Sequence, residues 1–451
     1  MRRRFSGLGI AAMAGTWATL AAGMALAEGG WPQFGGPDRN FICKSKGLAD
    51  KWPESGPKQL WKRELGDGYS TIVVDDGVLF TQYRPARPEA DMEKEENKKR
   101  FAQEVEITAA IEAATGKTIW EHQLPSPYTN LMADFGPGPH TTPLIDGPYL
   151  YTVGTNAVMH CYDKKTGKVI WKHDLVEEFG APIPGRGYGA SPIAFKNSII
   201  VPLGIKREGE EGGGGEGEKK EGKVEGQSLV AFDRESGSVL WKSQQYPTSY
   251  ASPILITFEG EEQLVLLMNN GLMGVKPEDG ELLWYTDLAP EGANLSSPFF
   301  NGKNLIFCSS AYDSGSRVIK LTKEDGKTVP EQLWYGRKMR VHHGDVIGLG
   351  NVVYGSSGDF GPAFFMALDI NNGEVLWRER GFKKATCVYA DGKMVILDED
   401  GELALTTVTP EKMTVLSRGK IGEPYAWAAP TLVGTKLFVR DRKHIMAFDL
   451  G

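Results

Sequence analysis

Eight residues of this chain fall at one equivalent position when its recurring Ser/Thr-Pro steps are aligned: Tyr69, His140, Gly189, Tyr250, Leu295, His343, Ala385 and Trp427. The steps read Thr142-Pro143, Ser191-Pro192, Ser252-Pro253, Ser297-Pro298 and Ala429-Pro430. Three equivalents lack the Pro and begin near Gly68, His342 and Lys384. One position earlier stand Tyr188, Asn294, His342 and Lys384, with Arg186 and Tyr425 close by. Aromatic faces stack planar groups, Arg and Lys meet carboxylates, and His titrates near neutrality. Such groups converging on a concavity are the usual pattern of a binding site. The candidate binding set is therefore Trp427, Arg186, Tyr250, Tyr69, His140, His343 and Lys384. The same aromatics can instead plug a packed axis, and for Trp427 and Tyr250 the two readings weigh equally. His342 and His343 are adjacent, so on a strand only one would point inward. A metal needs more convergent ligands than this, and none is assigned. Asp134 and Asp345 are the nearest acids, able to act as a base or calcium ligand but expected to be inert in solvated loops. No catalytic residue is identified. Walker, nucleophile-elbow, zincin and EF-hand motifs are absent.

The elements that must carry these residues come from a repeat. One phrase reads Ala110-Ile111-Glu112-Ala113-Ala114-Thr115-Gly116-Lys117-Thr118-Ile119-Trp120 and returns as Cys161-Tyr162-Asp163-Lys164-Lys165-Thr166-Gly167-Lys168-Val169-Ile170-Trp171. Further copies end at Trp241, Trp284, Trp334 and Trp377. A strand-built period of about 40–50 residues is the signature of a β-propeller. In each phrase a strand runs into a turn whose Gly takes φ > 0, and a second strand follows. The Trp covers the seam between neighbours and belongs to the architecture rather than to chemistry. Eight strand entries predict eight four-stranded antiparallel blades. The last repeat ends at Ile445-Met446-Ala447-Phe448-Asp449 and lacks an outer strand. Residues 59–65 read as that missing strand, which would close the ring and remove an exposed edge.

Residues 1–27 read as a signal peptide: basic Arg2-Arg3-Arg4, a weakly apolar run, then Ala25-Leu26-Ala27. An ordinary secretory leader is preferred over twin-arginine export, and no transmembrane anchor is expected after its removal. The protein is expected to be periplasmic or secreted. Residues 28–57 form an N-terminal extension, and 58–451 the propeller. Stretches 86–103 and 206–226 break the period and read as solvated insertions between the second and third strands of their blades. The net charge of −7, more negative once the leader's arginines are lost, disfavours a nucleic-acid partner. Cys43, Cys161, Cys308 and Cys387 are expected to be buried free thiols rather than disulfides. A monomer is expected.

The phrase Ala-x-Asp-x-x-Thr-Gly-x-x-x-Trp, repeated in a chain with a leader, resembles the pyrroloquinoline-quinone (PQQ) repeat family. The resemblance covers roughly residues 58–451. It implies either a quinoprotein alcohol dehydrogenase, with PQQ and Ca²⁺, or a propeller like the B subunit of the outer-membrane β-barrel assembly machinery, which shares the blades without the cofactor. If PQQ bound, it would stack on Trp427 or a neighbouring aromatic, with Arg186 or Lys384 meeting its carboxylates. The dehydrogenases usually carry two adjacent Cys, and this chain has no Cys-Cys pair. It also lacks the lipid-bearing Cys of the assembly subunit. The reading favoured is a non-catalytic exported propeller that binds a protein or polymer partner through its loop face and central funnel; a PQQ-dependent alcohol or sugar dehydrogenase is the alternative.

Overall fold

The computed structural model describes residues 29–451 except 88–101, 130, 133–134, 137, 208–223, 248, 290–293, 313 and 360–362. The leader, most of both insertions and Asp134 therefore lie outside the described residues. Eight four-stranded sheets are present, each an antiparallel meander. Blades 1 to 7 occupy residues 73–125, 144–174, 193–243, 254–287, 299–336, 347–380 and 386–420. Blade 8 combines residues 431–449 with Lys58–Glu64, which pairs antiparallel with His444–Asp449. The ring is thus closed by its N-terminal strand, as the missing outer strand predicts.

Where the repeated phrase is sharp, as in blades 1 and 2, it does two jobs. Its acid accepts turn amides, as Asp163 Oδ1 does from Thr166 N–H at 2.8 Å. Its Gly takes positive φ (+74° at Gly116, +70° at Gly167) and also faces the Trp of the preceding blade. A Cβ at Gly167 would stand 2.6 Å from the Trp120 ring, and one at Gly116 would stand 2.7 Å from Trp61. The indole then donates Nε1–H across the seam: Trp61 to Ala113 O, Trp120 to Lys164 O, Trp334 to Ile370 O. The Trp–Gly spacing is therefore an inter-blade joint.

The Ser/Thr-Pro steps make a second joint near the axis. Thr142 N–H donates to Ser191 Oγ, Ser191 N–H to Ser252 Oγ, and Ser297 N–H to Asp345 Oδ1. Each bond links one blade's innermost strand to the next.

Residues 31–52 form a strap across the far end of the axis. Trp31 pairs with Val74 of blade 1, and Pro32 O accepts from Ile145 N–H of blade 2. Ile42 bridges Tyr389 of blade 7, and Ala49 N–H reaches Leu450 O. Trp31, Phe41, Leu48 and Trp52 are buried. Three thiols, Cys161, Cys308 and Cys387, are free and buried; Cys43, in the strap, is free and half-buried. No helix among the described residues is long and apolar enough to cross a membrane.

Candidate functional site

The entry loops place an aromatic chain across the mouth of the axis. Tyr312 contacts His342 edge-on at 4.9 Å, and His342 lies 3.9 Å from His343. His343 stacks on Trp427 at 3.9 Å, Trp427 leans on Tyr69 at 5.2 Å, and Tyr69 stacks on His140 at 5.5 Å. Five blades contribute. His342 and His343 precede the strand Ile347–Leu349, so strand alternation does not apply and both rings join the cluster. This corrects the expectation that one would turn away.

Desolvation dominates the histidines. It pushes His140 and His342 down to about 4 and holds His343 well below its ordinary value. All three are neutral at pH 7. A neutral imidazole has one N–H, and in His140 Nε2 lies 2.8 Å from the Arg186 carbonyl, so Nε2 is the protonated nitrogen.

Arg186 lies in the turn 184–187, closed by Gly187 N–H to Pro184 O at 2.7 Å. Its backbone is held on both sides: N–H donates to Tyr250 Oη at 3.3 Å, and C=O accepts from His140. Tyr250 and His140 therefore act as positioning residues for Arg186. Gly189 lets them meet, since a Cβ there would stand 2.8 Å from Tyr250 Cδ1 and 3.7 Å from His140 Cβ. The Arg186 guanidinium lies 5.5 Å over the Phe135 ring. Its Nη1 is buried and has no hydrogen-bond partner among the described residues. Its charge is felt by Tyr69, Tyr250 and Tyr312 and by His140 and His343. Those groups come from blades 1, 2, 4, 5 and 6, so the guanidinium lies within electrostatic reach of much of the mouth, though burial dominates at each of them.

Lys384 sits at φ +40° with Nζ 5.5 Å from the Trp427 ring and 3.6 Å from Glu399 Oε2. The same carboxylate oxygen accepts Trp427 Nε1–H at 3.2 Å, and Glu399 O accepts Tyr425 N–H at 2.6 Å. Glu399 was not singled out by the sequence; it lies in a hairpin turn of blade 7, outside the aligned entry position. Phe135 and Tyr312 were missed for the same reason, being loop residues without a repeat position. Asp345 is not in a solvated loop as expected. It is half-buried, accepts Ser297 N–H, and desolvation raises its carboxyl to about 7 despite Arg39 nearby.

Deeper in, Arg39 of the strap reaches the axis from the other end. Its Nε donates to Pro253 O at 3.0 Å, and its Nη1 to Pro192 O and Gln33 Oε1 at 3.1 Å each. Burial lowers it to about 9, offset by Asp345.

The family model of the outer membrane protein assembly factor BamB matches residues 103–379 and, overlapping, 225–449. The chain belongs to that family. No curated protein sequence matches it significantly. Among solved structures, BamB from Moraxella catarrhalis is 14% identical with a TM-score of 0.57, covering 88% of this chain and 98% of that one. The computationally designed protein Ika8 is 11% identical with a TM-score of 0.54, covering 87% and 100%. A quinohemoprotein alcohol dehydrogenase from Pseudomonas putida is 12% identical with a TM-score of 0.47, covering 94% and 80%. At these identities the likeness to the first two is one of fold.

Two features of the mouth bear on PQQ with calcium. One face of Trp427 is covered by His343 at 3.9 Å, so a stacked quinone would have to displace it. Among the described residues no three His, Cys, Asp or Glu side chains converge as metal ligands.

Proposed function

We propose that this chain is an exported, monomeric, non-catalytic propeller that holds a protein partner on the face where the innermost strands begin. The observation that carries the reading is the lip of that face. Met132, Phe135, Tyr312 and Tyr425 are 47%, 42%, 48% and 38% exposed around an axis already filled by stacked rings. Large apolar side chains clustered at an open rim mark interaction sites, and aromatics are the favoured anchors of interfaces. Membership of a family named for outer-membrane protein assembly supports a partner in the cell envelope. The acidic balance of the chain disfavours nucleic acid.

The test is a crosslinking pull-down from envelope extracts with photo-reactive residues placed at Phe135 and Tyr312, and a control on the outer rim at Ile119. Specific adducts at the first two positions only are expected. No adduct at the lip, together with a melting-temperature rise on adding PQQ and Ca²⁺, would replace this reading with the dehydrogenase one, because a ligand specific for the native state must stabilise it.

A further inference from the structure

Arg186 stands apart from the other cations at the mouth. Lys384 has Glu399 at 3.6 Å, Arg340 has Asp359 at 3.6 Å, and Arg442 Nε donates to Asp67 at 2.7 Å. Arg186 has no carboxylate within ion-pair distance among the described residues, and its guanidinium makes no hydrogen bond to them. Its Nη1 is nevertheless removed from solvent. Arg39, Arg84 and Arg234 also leave one buried donor unpartnered, but their other guanidinium nitrogens bond the chain; a buried cation with no such bond among the described residues is costly. The backbone that carries it is fixed by Tyr250 and His140, so little freedom remains to be lost when a ligand arrives.

Resting on the partner-binding reading, we infer that the partner is a segment presenting one carboxylate beside apolar side chains, and that Arg186 is the anchor for that carboxylate. Arginine offers parallel donors matched to a carboxylate, and such charge-assisted pairs are strong where water is excluded. The single uncompensated charge calls for a single acid. The flanking Phe135, Tyr312 and Tyr425 call for apolar neighbours on the same segment. A polyanion would meet paired cations and a whole-chain net charge of −7, which disfavours a phosphate-rich polymer.

The experiment selects a displayed library of random dodecapeptides against the full mature chain, and in parallel against Arg186→Gln and Arg186→Lys. Enriched sequences for the parent are expected to share an Asp or Glu next to an aromatic or aliphatic residue. Against Arg186→Gln that acid should vanish, and a synthetic parent-selected peptide should bind about ten- to hundredfold more weakly. Arg186→Lys should recover part of the loss. Melting curves report that each variant is folded. Enriched peptides without an acid, or an acid preference unchanged in Arg186→Gln, would overturn the assignment. Complete failure to enrich any sequence would sink the partner-binding reading beneath it. Titration with benzoate and with glutarate covers the small-molecule source of the same chemistry. Either one binding as tightly as the selected peptides would also overturn a protein segment as the occupant.

Discussion

The two ends of the axis each hold an arginine, and they use it differently. At the strap end Arg39 spends its donors on the strand carbonyls of Pro192 and Pro253, tying the N-terminal extension to blades 3 and 4. At the entry end the backbone of Arg186 is bonded, and the guanidinium rests on Phe135 without a polar partner among the described residues. One arginine closes the molecule; the other is held ready. Burial of a cation is therefore not a sign of function in this fold. Each keeps one buried Nη without a partner among the described residues; what separates the two is that Arg39 bonds the chain through Nε and its other Nη, whereas the Arg186 guanidinium bonds none of the described residues.

The comparison breaks first by removing one end. Deleting residues 29–66 takes away the strap and the closing strand, and exposes the His444–Asp449 edge. The expected product aggregates rather than melting cooperatively. A soluble variant melting near the parent would refute closure through Lys58–Glu64. Next in size, Arg39→Met leaves the Pro192 and Pro253 carbonyls unpartnered. It should cost on the order of 3 kcal/mol in denaturant unfolding while leaving partner binding unchanged.

Asp345→Asn addresses pH. The folded carboxyl, at about 7, lies above its ordinary range, so the native state holds a proton that the unfolded chain has released. Stability from this group falls as pH rises from about 4 to 7. The charges facing it are Arg39, and the Cys387 thiol lies nearby, itself raised by burial. The variant's melting temperature relative to the parent should therefore be higher at pH 8 than at pH 5. An equal difference at both would mean that the carboxyl is not desolvated.

Smaller still, Gly189→Ala crowds Tyr250 and should cost roughly 1–2 kcal/mol, with a disproportionate loss of partner binding because the Arg186 clamp shifts. Last comes Arg186→Gln, which removes no hydrogen bond to the described residues and relieves a desolvated charge, so stability should be unchanged or slightly raised. The pair Arg39→Met and Arg186→Gln is the sharpest check. One should move stability alone, the other binding alone.

The blades were legible because each repeat states its own register. Gly before Trp and the Ser/Thr-Pro entry serve joints between blades and an acid closes the turn, so the pattern recurs in most blades. Tyr69, His140, His343 and Trp427 were legible for the same reason: equivalent positions in equivalent blades converge on one axis. Arg186 and Tyr250 were found, but as ligand contacts. That Tyr250 clamps the Arg186 backbone depends on a turn and a glycine that no period announces. Glu399, Phe135 and Tyr312 sit in loops that differ from blade to blade. The strap was invisible to periodicity, since it crosses blades rather than repeating within one. Its only signal was an extension carrying Trp31, Phe34, Phe41 and Trp52, more aromatic surface than a free tail would leave in water.

The closing pair also fixes how the molecule bears load. Lys58 lies opposite Asp449, so both free ends leave the last blade from the same end of the pair. A pull between them would open that pair one hydrogen bond at a time, the weaker way to load a sheet. The strap stands in the path of that force. Ala49 N–H is bonded to Leu450 O and Trp52 N–H to Ser417 Oγ, so tension from the N-terminal side must first peel residues 31–52 from the blades. A protein tethered by its N-terminal end would then meet its mechanical resistance in the extension, before the ring is loaded at all.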